Sequence, residues 1–246
     1  MNVVVLGGTR GIGRAVARAA MERGDRVFLL GRDAEQLTRS AADLSQRGGG
    51  DADVQTAVCD LEQPDTFAPA LDAAERALGQ LGAVVVTAGL FAVQDELEAD
   101  LEFTRRMLTV NFAHTALFCE HAKQRLLAQG GGTLCVVSSV AGERGRKPVV
   151  LYGASKAGLS AYLEGLEHKH HADGLRVVTV KPGFVKTGMT EGLDPPPFAG
   201  EPEGVARDIL RAVDRGTPVV YAPRIWALVM LVIRWLPRFV MRRIGF

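Results

Sequence analysis

Three cysteines, Cys59, Cys119 and Cys135, lie far apart in 246 residues and show neither CxxC nor His-paired spacing. That argues against a disulfide framework and a zinc site, and it fits a reducing cytosol. A surplus of one charge is missing too. The 29 Lys and Arg nearly cancel the 28 Asp and Glu, and a net charge of +1 offers no field for a nucleic acid, so ligands must be held by local charges. The uninterrupted apolar run from Ile225 to Ile233 is nine residues, where a membrane span needs about 20. Met1 leads straight into Val3-Val4-Val5-Leu6 without a basic flank or cleavage site, so no signal peptide is expected. An internal repeat and an interdomain linker are also lacking, which points to one domain.

What is present is alternation. Short apolar, β-branched runs recur at 3–6, 26–30, 52–58, 83–86, 133–138, 176–180 and 218–221, most of them separated by longer stretches of helical periodicity. Nearly continuous apolar strands between helices predict an α/β fold, a Rossmann-type doubly wound parallel sheet of about seven strands with helices on both faces. Residues 1–222 should form this domain, with 223–246 an apolar, basic tail of it. Gly48-Gly49-Gly50 and Gly130-Gly131-Gly132 each precede a strand and read as helix-to-strand turns. Residues 184–200, containing Pro195-Pro196-Pro197, fall on the carboxyl side of the sheet, where ligands bind in this architecture, and are expected to cover a substrate.

The stretch LGGTRGIGRAVARAA places Gly7, Gly11 and Gly13 between the first strand and its helix. Glycine there permits a tight turn and close approach to a diphosphate, whose charge is stabilised by N–H groups at the helix N-terminus. A Gly-rich turn alone is weak, because many strand-to-helix turns carry glycine. The spacing G-x-x-x-G-x-G, however, resembles that of the short-chain dehydrogenase/reductase family. The resemblance implies a dinucleotide on Gly7, Thr9, Arg10, Gly11, Ile12 and Gly13, with Asp60 and Leu61 at the adenine, and Ala88 and Gly89 in a turn where Thr87 replaces the usual Asn.

The resemblance puts Gly31 at the position that discriminates NAD from NADP. No acid stands there, Arg32 follows, and Arg10 supplies a second cation, so NADP(H) is the expected cofactor. The rival is Asp33 as ligand to the ribose diol, since it lies about 20 residues past the turn. Asp33 followed by Gln36 is also a capping-box pattern that opens the next helix.

Tyr152 and Lys156, in LYGASKAG, are spaced to lie one helical turn apart on one face. A free tyrosine titrates near 10, and a neighbouring ammonium is expected to lower that value. The family pattern implies Tyr152 as general acid in reduction, Lys156 as its partner and a ribose ligand, and Ser139 as the hydroxyl that binds the substrate oxygen, with Ser138 the adjacent alternative. It implies that Asn111 holds a water beside Lys156, and that Pro182, Gly183, Val185 and Thr187 anchor the nicotinamide. Each also has a plain structural reading: a solvated helix face for the Tyr–Lys pair, a helix cap for Ser139, a buried satisfied amide for Asn111. The joint pattern covers roughly residues 2–190 in the family's order, and that favours the catalytic reading.

Three features stand outside this pattern. His168 and His171 have metal-compatible spacing but also end a helix, where cations meet its dipole, and no metal is expected. The tail mixes Trp, Leu, Ile and Arg, which suits either an interfacial helix on a membrane face or packing against the sheet or another subunit. Arg144, Arg146 and Lys147 could meet a substrate phosphate or be solvated. The segments SSVAGERGRKPVVLYGASKAGL and VVYAPRIWALVMLVIRWLPR resemble the bacterial branch of the family that includes decaprenylphosphoryl-2-keto-ribose reductase, which implies an amphipathic keto-sugar substrate. The expected protein is a cytoplasmic, homo-oligomeric, NADPH-dependent ketone reductase. The alternatives are a 3-oxoacyl or secondary-metabolite ketone reductase, a non-catalytic NADP-sensing regulator, or a membrane-surface scaffold.

Overall fold

The structure is a computed structural model and describes residues 1–47 and 53–244. The turn expected at Gly48–Gly50, and the start of the third strand as expected at 52, lie outside the described residues. The chain runs β1 (Asn2–Leu6), α1 (Gly11–Glu22), β2 (Arg26–Gly31), α2 (Ala34–Arg47), β3 (Gln55–Val58), α3 (Phe67–Leu78), β4 (Ala83–Val86), α4 (Gln94–Ala99), α5 (Leu101–Leu108), α6 (Thr115–Ala128), β5 (Gly132–Val137), α7 (Val150–His170), β6 (Leu175–Pro182), α8 (Pro202–Arg215), β7 (Val219–Ala222), α9 (Trp226–Trp235) and α10 (Arg238–Met241). Seven parallel strands form one sheet, as the strand-like runs predict, and the structure arranges them in the order β3-β2-β1-β4-β5-β6-β7.

Alternation of side chains across the pleat divides the core into two layers. Val4 and Leu6 of β1 face Phe67, Leu71, Phe118, Leu159 and Leu163 on α3, α6 and α7. Val3 and Val5 face Val16, Leu37, Ile209 and Val213 on α1, α2 and α8. Both faces of each central strand are therefore buried, which is why those strands read as unbroken apolar runs. Strand order reverses between β1 and β4, and the carboxyl ends of these two strands open the crevice where this architecture binds ligands.

Residues 184–200 leave the sheet through a closed neck. Lys186 N donates to Gly200 O at 2.9 Å and Gly200 N to Phe184 O at 2.8 Å, so 186–199 projects as a loop with Met189 and Phe198 exposed. The tail splits its apolar residues between two sides of α9. Met230 and Ile233 are buried against Val140, while Leu228, Leu231, Val232 and Trp235 form an outer stripe at i, i+3, i+4 and i+7, with Trp235 81% exposed. Among the described residues, no helix is long and apolar enough to cross a membrane.

Candidate active site

The Gly-rich turn is locked from β4. Thr87 Oγ1 donates to Leu6 O at 2.9 Å, and Thr87 N donates to the same carbonyl at 2.9 Å. Gly7 has φ +87, a conformation that favours glycine. A Cβ at Gly13 would lie 2.3 Å from both Gly7 O and Thr87 Oγ1. Threonine at 87 thus does not loosen the turn; its hydroxyl occupies the space that the missing side chain of Gly13 leaves. This tight cradle at the start of α1 fits a dinucleotide diphosphate. Gly11 opens the same helix, and Thr187 Cγ2 would be 3.4 Å from a Cβ placed on it, so the turn and the Pro182–Thr187 segment meet. Ile12, half-buried in the first turn of α1, packs against the core layer below.

Gly7, Thr9, Arg10, Arg32, Asp60, Leu61, Ala88 and Gly89, all expected at the cofactor, line one cavity of about 190 Å³. Asp33 lines the same cavity, but its carboxylate also caps α2: Oδ1 accepts from Gln36 N at 3.0 Å and Oδ2 from Gln36 Nε2 at 2.7 Å. The backbone bond from Gln36 holds Asp33 below the usual carboxylate range. Arg10 Nε donates to Gln36 Oε1 at 2.8 Å, which ties the two loops together across the cavity mouth. Sequence reasoning missed Gln36 as a cavity residue and Glu62 entirely. Glu62 sits 3.7 Å from Arg32 and accepts two 2.6 Å hydrogen bonds from Arg106 on α5. Those bonds, followed by the charge of Arg106, lower its pKa. Its position two residues past Asp60 was the available signal.

Tyr152, Lys156, Ser139 and Asn111 converge at the carboxyl ends of β4 and β5. Lys156 Nζ lies 5.8 Å from the centre of the Tyr152 ring, and Phe91 packs edge-on against that ring at 5.0 Å. Ser138 Oγ is committed elsewhere, donating to Lys156 O at 3.0 Å and meeting Ser160 Oγ at 2.7 Å. Ser139 Oγ accepts from Ala141 N at 3.0 Å. It therefore does cap the short turn that follows, while its own O–H remains available to donate. Asn111 is 1% exposed and sits in a widened π turn, Thr109–His114, between α5 and α6. Its amide clamps Leu90, with Oδ1 accepting from Leu90 N and Nδ2 donating to Leu90 O, both at 2.7 Å. A Cβ on Gly89 would be 3.1 Å from Asn111 Oδ1 and 3.7 Å from Lys156 Nζ, so glycine there leaves the space between these groups open.

The electrostatics differ from the sequence expectation. Burial raises the Tyr152 phenol to about 12, and a hydrogen bond from Ser139 pulls in the opposite direction without prevailing. Burial also lowers Lys156 to about 8. Its ammonium donates to Val137 O at 3.2 Å rather than to the phenol, which is why the phenolate gains little from it. The site can hold a protonated phenol, a donating hydroxyl and a partly titrated amine around one point.

The histidines near the end of α7 enter ion pairs. His171 Nδ1 pairs with Glu167 and His170 Nδ1 with Asp173, both at 2.9 Å. Among the described residues, no three His, Cys, Asp or Glu side chains are grouped to hold a metal.

Comparison with known proteins places this geometry. The family profile described as short chain dehydrogenase matches residues 1–196. An oxidoreductase of Mycobacterium tuberculosis, itself described as uncharacterized, is 35% identical over 243 residues, covering 98% of this chain and 96% of its own. A 3-oxoacyl-[acyl-carrier-protein] reductase of Bos taurus is 32% identical over 190 residues, 77% of this chain and 78% of its own. Among solved structures, a short-chain type dehydrogenase/reductase from Mycobacterium ulcerans shares 26% identity and a TM-score of 0.80, covering 89% of this chain and 86% of its own.

Proposed function

The chain belongs to the short-chain dehydrogenase/reductase family, nicotinamide-dependent oxidoreductases acting on CH–OH and C=O groups, and from that premise we propose that it reduces a ketone to a secondary alcohol with NADPH. The reading is carried by the convergence of the Tyr152 phenol, the Ser139 hydroxyl and the Lys156 ammonium, 5.8 Å from the centre of the Tyr152 ring. NADPH, when bound, supplies the hydride. Ser139 donates to the ketone oxygen as negative charge grows on it, and Tyr152 delivers the proton to that oxygen. Lys156, with its ammonium held on Val137 O, orients the ribose. Asn111 fixes the turn over which a proton relay would run. Gly7, Thr9, Gly11 and Gly13 hold the diphosphate, Asp60 and Leu61 the adenine, and Pro182, Gly183, Val185 and Thr187 the carboxamide end.

Preference for NADPH is supported by Gly31 in place of an acid, by Arg10 and Arg32 at the cavity, and by the use of Asp33 as a helix cap. For the substrate, exposed Met189 and Phe198 on the covering loop support an amphipathic or lipid-linked ketone, such as a keto-sugar. A 3-oxoacyl thioester is the second reading, favoured by the bovine relative. A homo-oligomeric assembly in the cytoplasm follows the family habit. The outer stripe of α9 supports peripheral membrane contact through 224–246, and Leu231→Glu should then abolish flotation with anionic vesicles; unchanged flotation would remove that contact.

The function is tested by a panel of keto-sugars, 3-oxoacyl thioesters and simple ketones with NADPH. Turnover of at least one class is expected. Tight NADPH binding without turnover of any would make the protein a cofactor sensor instead.

A further inference from the structure

A cavity of about 530 Å³ lies away from the catalytic cleft. At about 100° per residue, Val150, Gly153, Ala154 and Ala157 line it from the side of α7 turned away from Tyr152 and Lys156. The turns after Ser139 make its second wall, and α10 with Ile244 its third. Two bonds fasten these walls together. Arg144 Nη2 donates to Leu236 O at 2.8 Å, and Lys147 Nζ to Arg242 O at 2.7 Å, each a carbonyl where a tail helix ends and the backbone lacks partners of its own. The basic loop is therefore tied to the tail rather than to the reacting cleft. It is one wall of an open groove whose other side is the tail, with Lys147, Arg238 and Arg242 exposed along it.

Among the described residues, five cations line that groove, Arg144, Arg146, Lys147, Arg238 and Arg242, and no carboxylate does. Among the described residues, Arg238 and Arg242 enter no ion pair. Like charges gathered around one space repel, and an anion between them relieves the repulsion while gaining charge-assisted hydrogen bonds. A dianionic head uses several guanidinium groups at once. The rest of the lining is apolar: Met241, Ile244, Val150 and the alanines of α7. A bare anion would leave that surface wet, whereas an attached hydrocarbon chain would cover it.

We propose that this cavity binds the phosphate head of an amphiphile together with the near part of its apolar chain, at a site separate from the reacting centre. Arg238 and Arg242 hold the head, and Met241 and Ile244 meet the chain. The assignment does not use the Tyr152 reaction, and binding reads it without turnover.

Isothermal titration of the full chain with dodecyl phosphate below its micelle concentration, with inorganic phosphate and with dodecyl maltoside tests it. Dodecyl phosphate is expected to bind once per chain and about tenfold or more tighter than either comparator. The pair Arg238→Gln/Arg242→Gln should weaken it about tenfold, with Arg242→Gln alone giving a smaller loss in the same direction, and Arg224→Gln/Arg243→Gln, the same charge removed outside the cavity, should not. Inorganic phosphate binding equally well would make it a plain anion site and overturn the proposal. So would equal binding of the maltoside, or equal loss in the two Gln pairs. Binding to phosphatidylglycerol vesicles but not to monomeric dodecyl phosphate would overturn it in favour of a flat membrane-facing surface. Light scattering that finds a dimer split by the Arg238/Arg242 pair would overturn it in favour of a subunit seam.

Discussion

Lys156 is 5% exposed, with its ammonium on Val137 O, and burial lowers its pKa to about 8 from an ordinary 10.5. Between those two values the unfolded chain binds more protons than the folded one, so the residue's contribution to stability rises with pH across that window. Below about 8 the folded protein carries a buried cation at a cost. Lys156→Met should therefore be more stable than the wild type at pH 7 by roughly 1–3 kcal/mol, with the gap in Tm closing as pH rises toward 10, and it should lose turnover. A gap that widens with pH would contradict this. At the other end of the site, Glu62 stands beside Arg32 and is held by Arg106. Freed from Arg106, its carboxylate would compete for Arg32 and repel a 2′-phosphate. Arg106→Leu is expected to weaken NADPH about fivefold and NADH little, and Arg32→Ala to weaken NADPH about tenfold; calorimetric Kd values for both cofactors check each.

At the scale of elements, the tail and the 184–200 loop are joined through Trp226. The Trp226 indole lies on Gly183, where a Cβ would be 2.1 Å from the ring, and its Nε1 donates to Phe198 O at 3.2 Å. One side chain thus joins the end of β6, the 184–200 loop and the start of α9. Trp226→Ala should release that loop: limited proteolysis within 186–199 should accelerate and KM for the ketone should rise several-fold, with kcat less affected. Unchanged proteolysis would uncouple the tail from the loop. The same scale shows why some pairings were legible and others not. Asp33 and Gln36 are three apart, so their cap could be read from the sequence. Arg106 and Glu62 are 44 apart, and Arg144 and Leu236 are 92 apart, so these bonds exist only because the sheet brings α5 and the tail where it does.

Across the whole molecule, a parallel sheet of about seven strands was readable because a sheet covered on both faces demands unbroken apolar runs, and the central strands supply them; the edge strand β3, Gln55–Val58, is more polar, and the spatial order of the strands was not predicted. The positions of Tyr152, Ser139, Asn111 and Lys156 were readable from spacing and from the family resemblance. Their electrostatics were not, since the raised Tyr152 and lowered Lys156 come from burial, which spacing does not report. The tail was legible as apolar and basic, but not its division into an inner stripe on Val140 and an outer one in solvent. The proposed function rests on the Tyr152 phenol as proton donor, and Tyr152→Phe addresses it with the least change of shape. Single-turnover oxidation of bound NADPH by a ketone substrate should slow by about 10²–10⁴-fold in this variant while the Kd for NADPH stays within about twofold. An undiminished rate would contradict the role of Tyr152 as the proton donor.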